Sequence, residues 1–184
     1  MSQTNELEIM ERIALDLEGV EESLASSFNT GAEDFNALIR PLSAAGGKRL
    51  RAQLCLLIAN AGTSVERQRI RIAEAVEMLH LATLIHDDVL DQAEIRRGEE
   101  TIHMHKGNKV AILSGDYLFA KAFQIVSEMP NMKYLQIFSH IITCLVEGEF
   151  MQMEDVYRIN QGIERYMTKT QKKTADFMEG CMEL

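Results

Sequence analysis

The sequence predicts an all-α protein, and three observations lead to that prediction. Apolar residues recur at steps of three and four along most of the 184 residues, only two residues are proline, and no stretch alternates apolar with polar residues as a half-buried strand does. Residue types that favour helices are abundant. Because no repeat or linker interrupts the pattern, we expect residues 1–184 to form a single all-helical domain.

The helices follow in order from this periodicity. An amphipathic stripe predicts a first helix of about 25 residues, ended at Asn29-Thr30-Gly31. Apolar residues between Phe35 and Leu42 predict a short second helix that is disturbed at Pro41 and ended by Gly46-Gly47. Further helices are predicted over residues 50–61, 66–92, 108–128, 134–158 and 163–183, with a polar connection over residues 93–106.

Charge and hydropathy exclude several classes of protein. A net charge of −9 without a basic run argues against binding to nucleic acid or to an anionic membrane surface. Uninterrupted apolar stretches are much shorter than the roughly 20 residues of a transmembrane segment, and the acidic N-terminus does not resemble a signal peptide. We therefore expect a cytoplasmic protein. Cys55, Cys144 and Cys181 are widely spaced among apolar neighbours, which predicts reduced core thiols.

Residues 80–98, HLATLIHDDVLDQAEIRRG, carry most of the chemistry. Asp87 and Asp91 are four residues apart, which puts both carboxylates on one helix face with Cβ atoms about 5–6 Å apart. Asp88 points about 100° away. Two close carboxylates at a helix C-terminus repel each other unless a cation lies between them, and oxygen ligands with room for water suit Mg²⁺ that bridges to a phosphate. The alternative is a solvated acidic helix end.

Two cationic clusters accompany this face. Arg96 and Arg97 offer forked donors to diphosphate oxygens just beyond the helix. Lys48 and Arg51 are three apart at the start of another helix, after two glycines, Gly46 and Gly47, that would let the backbone approach a phosphate. A solvated basic cap is the alternative for the second cluster. His103-Met104-His105 could bind a metal, although such a pair is more often solvated surface.

In combination, these segments resemble the trans-isoprenyl (polyprenyl) diphosphate synthases, most closely those of the heptaprenyl and other long-chain types. The resemblance runs from AGGKRLR at residues 45–51, through the segment above, to SGDYLFAKAF, GEFMQMEDVYR and KKTA. It implies an antiparallel helical bundle of the isoprenoid synthase type. It also implies that the chain is the N-terminal part of such an enzyme, truncated before the second aspartate-rich motif, with little or no activity alone.

The resemblance assigns roles to the candidate residues. Lys48, Arg51 and His80 would hold the diphosphate of isopentenyl diphosphate, with Arg97 assisting. Asp87 and Asp91 would bind the Mg²⁺ that chelates the allylic diphosphate, such as farnesyl diphosphate. Arg96 and Lys173 would reach that same diphosphate, which completes the catalytic set of Asp87, Asp91, Arg96 and Lys173.

The implied activity is a Mg²⁺-dependent prenyltransferase that makes a medium- or long-chain all-trans polyprenyl diphosphate, such as heptaprenyl, for isoprenoid or quinone side-chain biosynthesis. The implied assembly is a homodimer or a heterodimer with a dissimilar subunit. Two alternatives remain: a truncated or non-catalytic diphosphate-binding subunit, and a terpene cyclase-like protein, against which the Lys48, Arg51 and His80 set argues.

Two details of the sequence bear on the family pattern. Ala52 stands where the family usually has proline. Ala82 and Thr83 are small where short-chain members tend to carry a bulky aromatic residue, so the growing tail should extend toward the helix that bears Phe119 and Phe123. We therefore expect products longer than geranylgeranyl, the alternative being that Ala82 serves only as a tight helix contact.

Overall fold

The computed structural model describes residues 3–28, 33–44, 47–62 and 64–184. Most of them lie in helices: α1 (Gln3–Ser27), α2 (Glu33–Ala44), α3 (Leu50–Ala61), α4 (Glu66–Leu90), α5 (Ile102–Lys106), α6 (Asn108–Ser127), α7 (Met132–Asp155), α8 (Ile163–Thr170) and α9 (Asp176–Glu183). The predicted all-α class is confirmed. The break expected at Asn29-Thr30-Gly31 and the glycine Gly46 lie outside the described residues.

Contacts within the chain define two compact units, residues 1–128 and residues 129–184. The first contains α1 to α6 and the second contains α7 to α9. Each unit is described by itself below. The single domain expected over residues 1–184 stays a prediction.

Helix α4 is the centre of the first unit, where it packs against α6, α3 and α1. Its residues 72–79 are all buried, including the acidic Glu74 and Glu77. Glu74 accepts hydrogen bonds of 2.6 Å from the hydroxyls of Ser23 and Ser27 in α1. Since a buried carboxylate without partners is strongly unfavourable, these bonds explain how α4 carries acidic residues into the core.

A buried ion pair also joins α1 to α4. Arg69 donates from Nε and Nη2 to the two carboxylate oxygens of Asp16 at 2.7 and 2.8 Å. Asn60 of α3 donates to the same carboxylate at 2.9 Å. The fork geometry of Arg69 gives this contact directional specificity, and it sets the position of α1 along α4.

A β-hairpin occupies part of the connection in which we expected no strand. Strands β1 (Ile95–Arg96) and β2 (Glu99–Glu100) pair antiparallel, with Arg96 opposite Glu99. Arg97 and Gly98 between them both have positive φ, 54° and 88°, as a type I′ turn requires. The expectation was wrong because strands of two residues have no alternation to detect.

Helix α2 contains Pro41 and ends at Ala44, shortly before the two glycines that were expected to end it. One predicted helix differs from the structure. The helix predicted over residues 163–183 is interrupted by a π-turn, Gln171–Ala175, between α8 and α9. Such turns are single insertions in an otherwise helical segment, so the apolar periodicity on either side does not reveal them.

The second unit is built on contacts of α7 with α8, the π-turn and α9. Its core includes Phe138, Ile141, Phe177 and Cys181, all nearly or fully buried. A Cβ at Gly180 would overlap the side chain of Ile141, so this glycine lets α9 approach α7 closely. All three cysteines of the chain are buried thiols, as predicted.

Helix α6 is long and apolar enough to cross a membrane when only length and composition are considered, with a mean hydropathy of 1.2. Of its most apolar segment, 39% is buried, and α6 packs against α4. The same length and composition are also typical of a helix in the core of a soluble protein.

Candidate functional site

The two predicted metal ligands lie at the C-terminal end of α4. Asp91 is the residue that caps this helix, and its backbone N–H still donates to the carbonyl oxygen of Asp87 at 2.8 Å. Asp87 is half-buried and Asp91 is exposed. The two carboxylates are therefore one helical turn apart at an accessible helix end. Among the described residues, no cluster of three or more His, Cys, Asp or Glu side chains could hold a metal ion.

Asp88 faces a different direction and has a different partner. Its side chain is buried, and Nε of Arg96 donates to Oδ1 at 2.6 Å. Burial raises the pKa of Asp88, whereas the hydrogen bond from Arg96 acts in the opposite direction. Arg96, predicted as a ligand of the allylic diphosphate, is thus anchored to α4 while about a third of its side chain is exposed.

The hairpin brings Arg97 to the loop before α3, which contains Gly47. A Cβ on Gly47 would lie 3.0 Å from Nη2 of Arg97, so the guanidinium packs directly against this glycine. The backbone of Arg97 adopts the left-handed conformation, which residues other than Gly, Asn and Asp rarely adopt. The type I′ turn therefore directs Arg97 away from β1 and toward the start of α3.

His80 is the residue around which the arginines gather. Nη1 of Arg51 donates to Nε2 of His80 at 3.2 Å, which requires a neutral imidazole with its proton on Nδ1. Burial, the largest cause, lowers the pKa of His80 from 6.5 to about 3, and the charges of Arg51, Arg97, Arg96 and Arg49 lower it in the same direction. The positive charge at neutral pH is therefore carried by the arginines.

Lys48 precedes this cluster and is exposed. Its backbone carbonyl accepts a hydrogen bond of 2.5 Å from Nε2 of Gln53, which fixes the loop against the first turn of α3. The structure therefore brings residues 47–51, His80 and residues 96–97 into one region of the first unit. Segments that are distant in the sequence meet there, as a diphosphate site would require.

Sequence reasoning missed the residues that hold this loop. Arg49 has φ 46°, and its guanidinium bonds to Glu21 through Nε and Nη2 at 2.6 and 3.0 Å. Nη1 also pairs with the buried Glu77 at 3.4 Å. The only signal in the sequence was a glutamate inside the apolar pattern of α4.

Glu77 also explains a departure from the family pattern. The backbone N–H of Ala52 donates to Oε1 of Glu77 at 3.1 Å, which satisfies an otherwise unpaired donor in the first turn of α3. A proline at this position has no N–H and could not make this bond. Ala52 thus adds a link between α3 and α4.

An open cavity of about 820 Å³ borders the arginines of the hairpin. Its polar edge includes Asp88, Arg96 and Arg97, and its apolar lining comes from α2 and α4: Ala37, Leu38, Pro41, Leu81, Leu84 and Ile85. The residues predicted for the tail pocket, Ala82, Thr83, Phe119 and Phe123, are not among its lining residues. Ala82 is fully buried in α4, so its role in product length stays a prediction.

Lys173, the remaining predicted ligand of the diphosphate, belongs to the second unit. It lies in the π-turn and forms an ion pair with Glu149 of α7. Its side chain is about one quarter exposed. Its ion-pair partner is therefore an acidic residue of α7.

Comparison with known proteins identifies the family. The sequence model described as polyprenyl synthetase matches residues 32–184. The chain belongs to the polyprenyl synthetase family. Heptaprenyl diphosphate synthase component 2 of Geobacillus stearothermophilus is 37% identical over 170 residues, covering 92% of this chain and 53% of the relative. Octaprenyl diphosphate synthase of Escherichia coli K12 is 32% identical over 175 residues, covering 95% and 54%.

A solved member of the polyprenyl synthetase family has the same fold. The polyprenyl synthase from Caulobacter crescentus CB15, complexed with calcium and isoprenyl diphosphate, superposes with a TM-score of 0.90 at 34% identity. The match covers 95% of this chain and 53% of that structure. The predicted helical fold of the isoprenoid synthase type is confirmed. The chain spans about half the length of the curated relatives named here.

Proposed function

We propose that this chain takes part in a prenyltransferase reaction that condenses isopentenyl diphosphate with an allylic diphosphate. The product would be a medium- or long-chain all-trans polyprenyl diphosphate, such as heptaprenyl diphosphate. The observation that carries the proposal is that Arg51 and Arg97 lie around the neutral His80 of α4, while Asp87 and Asp91 lie at the C-terminal end of the same helix. Diphosphate recognition requires such a set of forked, permanently charged donors.

Mg²⁺ fits the residues at the end of α4. Asp87 and Asp91 supply two carboxylates one turn apart, and Asp88 is already paired with Arg96. Mg²⁺ is usually held by one or two carboxylates and completes its shell with water and substrate phosphates, so two protein ligands are sufficient. When bound, the ion would neutralise the allylic diphosphate as a leaving group.

The protein residues would divide the two diphosphates between them. Lys48, Arg51 and His80 would hold isopentenyl diphosphate, with His80 contributing the neutral Nδ1–H donor and Arg97 assisting. Arg96 and Lys173 would stabilise the negative charge that develops on the departing allylic diphosphate. The apolar helices around the site would keep water from the allylic cation.

Two other functions are less well supported. A terpene cyclase needs an acidic metal face but no second diphosphate site, so the Arg51–His80 cluster would have no role in it. A non-catalytic diphosphate-binding subunit could retain this cluster, but it would not need Asp87 and Asp91 at an accessible helix end. The acidic pair therefore favours participation in catalysis.

The assembly and location follow from the relatives and remain part of the proposal. The Geobacillus relative is named as component 2 of its synthase, which supports a heterodimer with a dissimilar subunit, and a homodimer is the alternative. We propose a cytoplasmic location, in keeping with an acidic protein whose substrates carry charged diphosphates.

An incorporation assay tests the proposed function. The chain is supplied with Mg²⁺, farnesyl diphosphate and labelled isopentenyl diphosphate, with and without a candidate partner subunit, and the products are sized. We expect little or no labelled product from the chain alone, and Mg²⁺-dependent labelled polyprenyl products when a partner completes the enzyme. Unlabelled cyclic hydrocarbons formed from farnesyl diphosphate, with the label left in isopentenyl diphosphate, would support the cyclase alternative instead.

A further inference from the structure

The π-turn of the second unit places two consecutive lysines against one helix. Nζ of Lys172 contacts Oε2 of Glu147 at 2.5 Å, and Nζ of Lys173 forms an ion pair with Oε2 of Glu149. In a regular α-helix, adjacent side chains point about 100° apart and could not easily share a neighbouring helix. The wider π-turn changes this spacing, and π-turns are often found at functional sites.

Gly148, between the two glutamates, lets the π-turn lie close to α7. A Cβ on Gly148 would lie 3.0 Å from the backbone nitrogen of Lys173 and 3.2 Å from Cβ of Lys172. The first of these neighbours is a backbone atom, which cannot move aside as a flexible side chain can. Any larger residue at this position would therefore displace the π-turn and Lys173 with it.

The two ion pairs differ in their exposure. The side chain of Glu147 is 53% exposed, whereas that of Glu149 is 16% exposed. Among the described residues, none donates an aligned hydrogen bond to the buried Oε2 of Glu149. A carboxylate in this position depends on a nearby cation for compensation, so Glu149 constrains Lys173 more strongly than Glu147 constrains Lys172.

We propose that Gly148 and Glu149 are positioning residues for Lys173, the glycine by admitting the π-turn and the glutamate by orienting the ammonium group. The use of this orientation rests on the proposed function, in which Lys173 contacts the allylic diphosphate. A lysine ammonium has three N–H donors, so a contact with Glu149 leaves donors for a diphosphate oxygen. Restricting the flexible side chain beforehand reduces the entropy lost when the diphosphate binds.

Amine labelling tests the positioning without any substrate. The chain is treated briefly with an amine-acylating reagent, and the modification of Lys172 and Lys173 is measured by mass spectrometry. In Glu149→Gln, labelling of Lys173 should rise severalfold and that of Lys172 should stay as in the parent chain. The matched control Glu147→Gln should show the reverse. Equal labelling of Lys173 in the parent and in Glu149→Gln would overturn the proposal.

Calorimetry with farnesyl diphosphate and Mg²⁺ tests the consequence for binding. Removing a negative charge near an anion site should strengthen binding if only charge matters. The proposal predicts the opposite: Glu149→Gln should lower the affinity for farnesyl diphosphate by about three- to tenfold, because the ammonium group of Lys173 is no longer oriented. Unchanged or tighter binding would contradict the positioning role. If the parent chain binds no farnesyl diphosphate although Lys173 labelling responds to Glu149→Gln, the proposed function fails and the positioning stands.

The glycine is tested separately. Gly148→Ala should raise the labelling of Lys173 and weaken farnesyl diphosphate binding in the same direction as Glu149→Gln. Gly162→Ala is the matched control, since no atom lies within 4 Å of a Cβ built there. Circular dichroism confirms that each variant is folded. A folded Gly148→Ala variant with parental labelling and binding would overturn the role of the glycine.

Discussion

Nη1 of Arg51 donates a hydrogen bond to Nε2 of His80 across 3.2 Å, and this contact joins the first turn of α3 to the C-terminal half of α4. The bond requires His80 to be a neutral acceptor, which agrees with a pKa lowered to about 3. It also keeps the guanidinium of Arg51 at the site where Arg97 meets Gly47. The Arg51–His80 bond therefore links α3 to α4, and it also places the positive charge of Arg51 beside a neutral imidazole.

The stability of the chain should depend on pH through His80. Because its pKa is about 3 in the folded chain and near 6.5 when unfolded, only the unfolded state takes up this proton between those values. The contribution of His80 is fully present above pH 6.5 and is lost as the pH falls, by up to about 1.4 kcal/mol per pH unit.

Urea unfolding of the parent chain and of His80→Gln from pH 4.5 to pH 7.5 measures this contribution. The free energy of unfolding of the parent should fall more steeply toward low pH than that of the variant. Other groups, including Asp88 with its raised pKa, contribute to both proteins and cancel in the difference. Parallel pH profiles would show that His80 is not held neutral.

Asp88 should matter for folding more than for metal binding. Asp88→Ala removes the 2.6 Å hydrogen bond to Arg96 and should lower the free energy of unfolding by about 1–2 kcal/mol. Asp88→Asn keeps an acceptor for Arg96 and should lose less. Urea unfolding and a Mg²⁺ titration of farnesyl diphosphate binding distinguish the two effects. A folded Asp88→Ala variant that no longer requires Mg²⁺ for binding would place Asp88 on the metal face.

The type I′ turn allows the charge of Arg97 to be separated from its backbone conformation. Asn tolerates positive φ well, so Arg97→Asn should keep the stability of the chain while weakening diphosphate binding. Arg97→Val should also cost stability, by about 1–2 kcal/mol, because a β-branched residue is strained at φ 54°. Urea unfolding and calorimetry with isopentenyl diphosphate provide the two readouts. If both variants bind as the parent does, Arg97 has only a structural role.

The sequence was sufficient to predict the long helices of the fold, whereas the roles of the candidate site residues stay predictions. The predicted helix over residues 66–92 differs from α4 by two residues at its end, because caps and periodicity are local signals. The contacts of Glu77 with Arg49 and Ala52 could not be predicted, since they join residues 28 and 25 positions apart. The hairpin and the π-turn could not be predicted because both are shorter than the stretch of sequence in which periodicity is detectable.

Product length should respond to Ala82 in a full-length context. Ala82→Phe should shorten the polyprenyl product while the first condensation continues, because Asp87 and the arginines keep their positions. Ala82 is fully buried, so the larger ring should also cost about 1–3 kcal/mol of stability. Ala82→Ser, which adds little volume at the same position, is the control. Products of a folded Ala82→Phe variant that are as long as those of Ala82→Ser would place the floor of the tail pocket elsewhere.

Calorimetric titration of the chain with farnesyl diphosphate, with and without Mg²⁺, most directly tests the central claim that the end of α4 and the arginines around His80 form a diphosphate site. We expect saturable binding of farnesyl diphosphate that requires Mg²⁺ and that is lost in the double variant Asp87→Asn with Asp91→Asn. Arg51→Ala should weaken the binding of farnesyl diphosphate less than it weakens the binding of isopentenyl diphosphate. Binding of farnesyl diphosphate that is equal with and without Mg²⁺ and unaffected in the double variant would contradict this account.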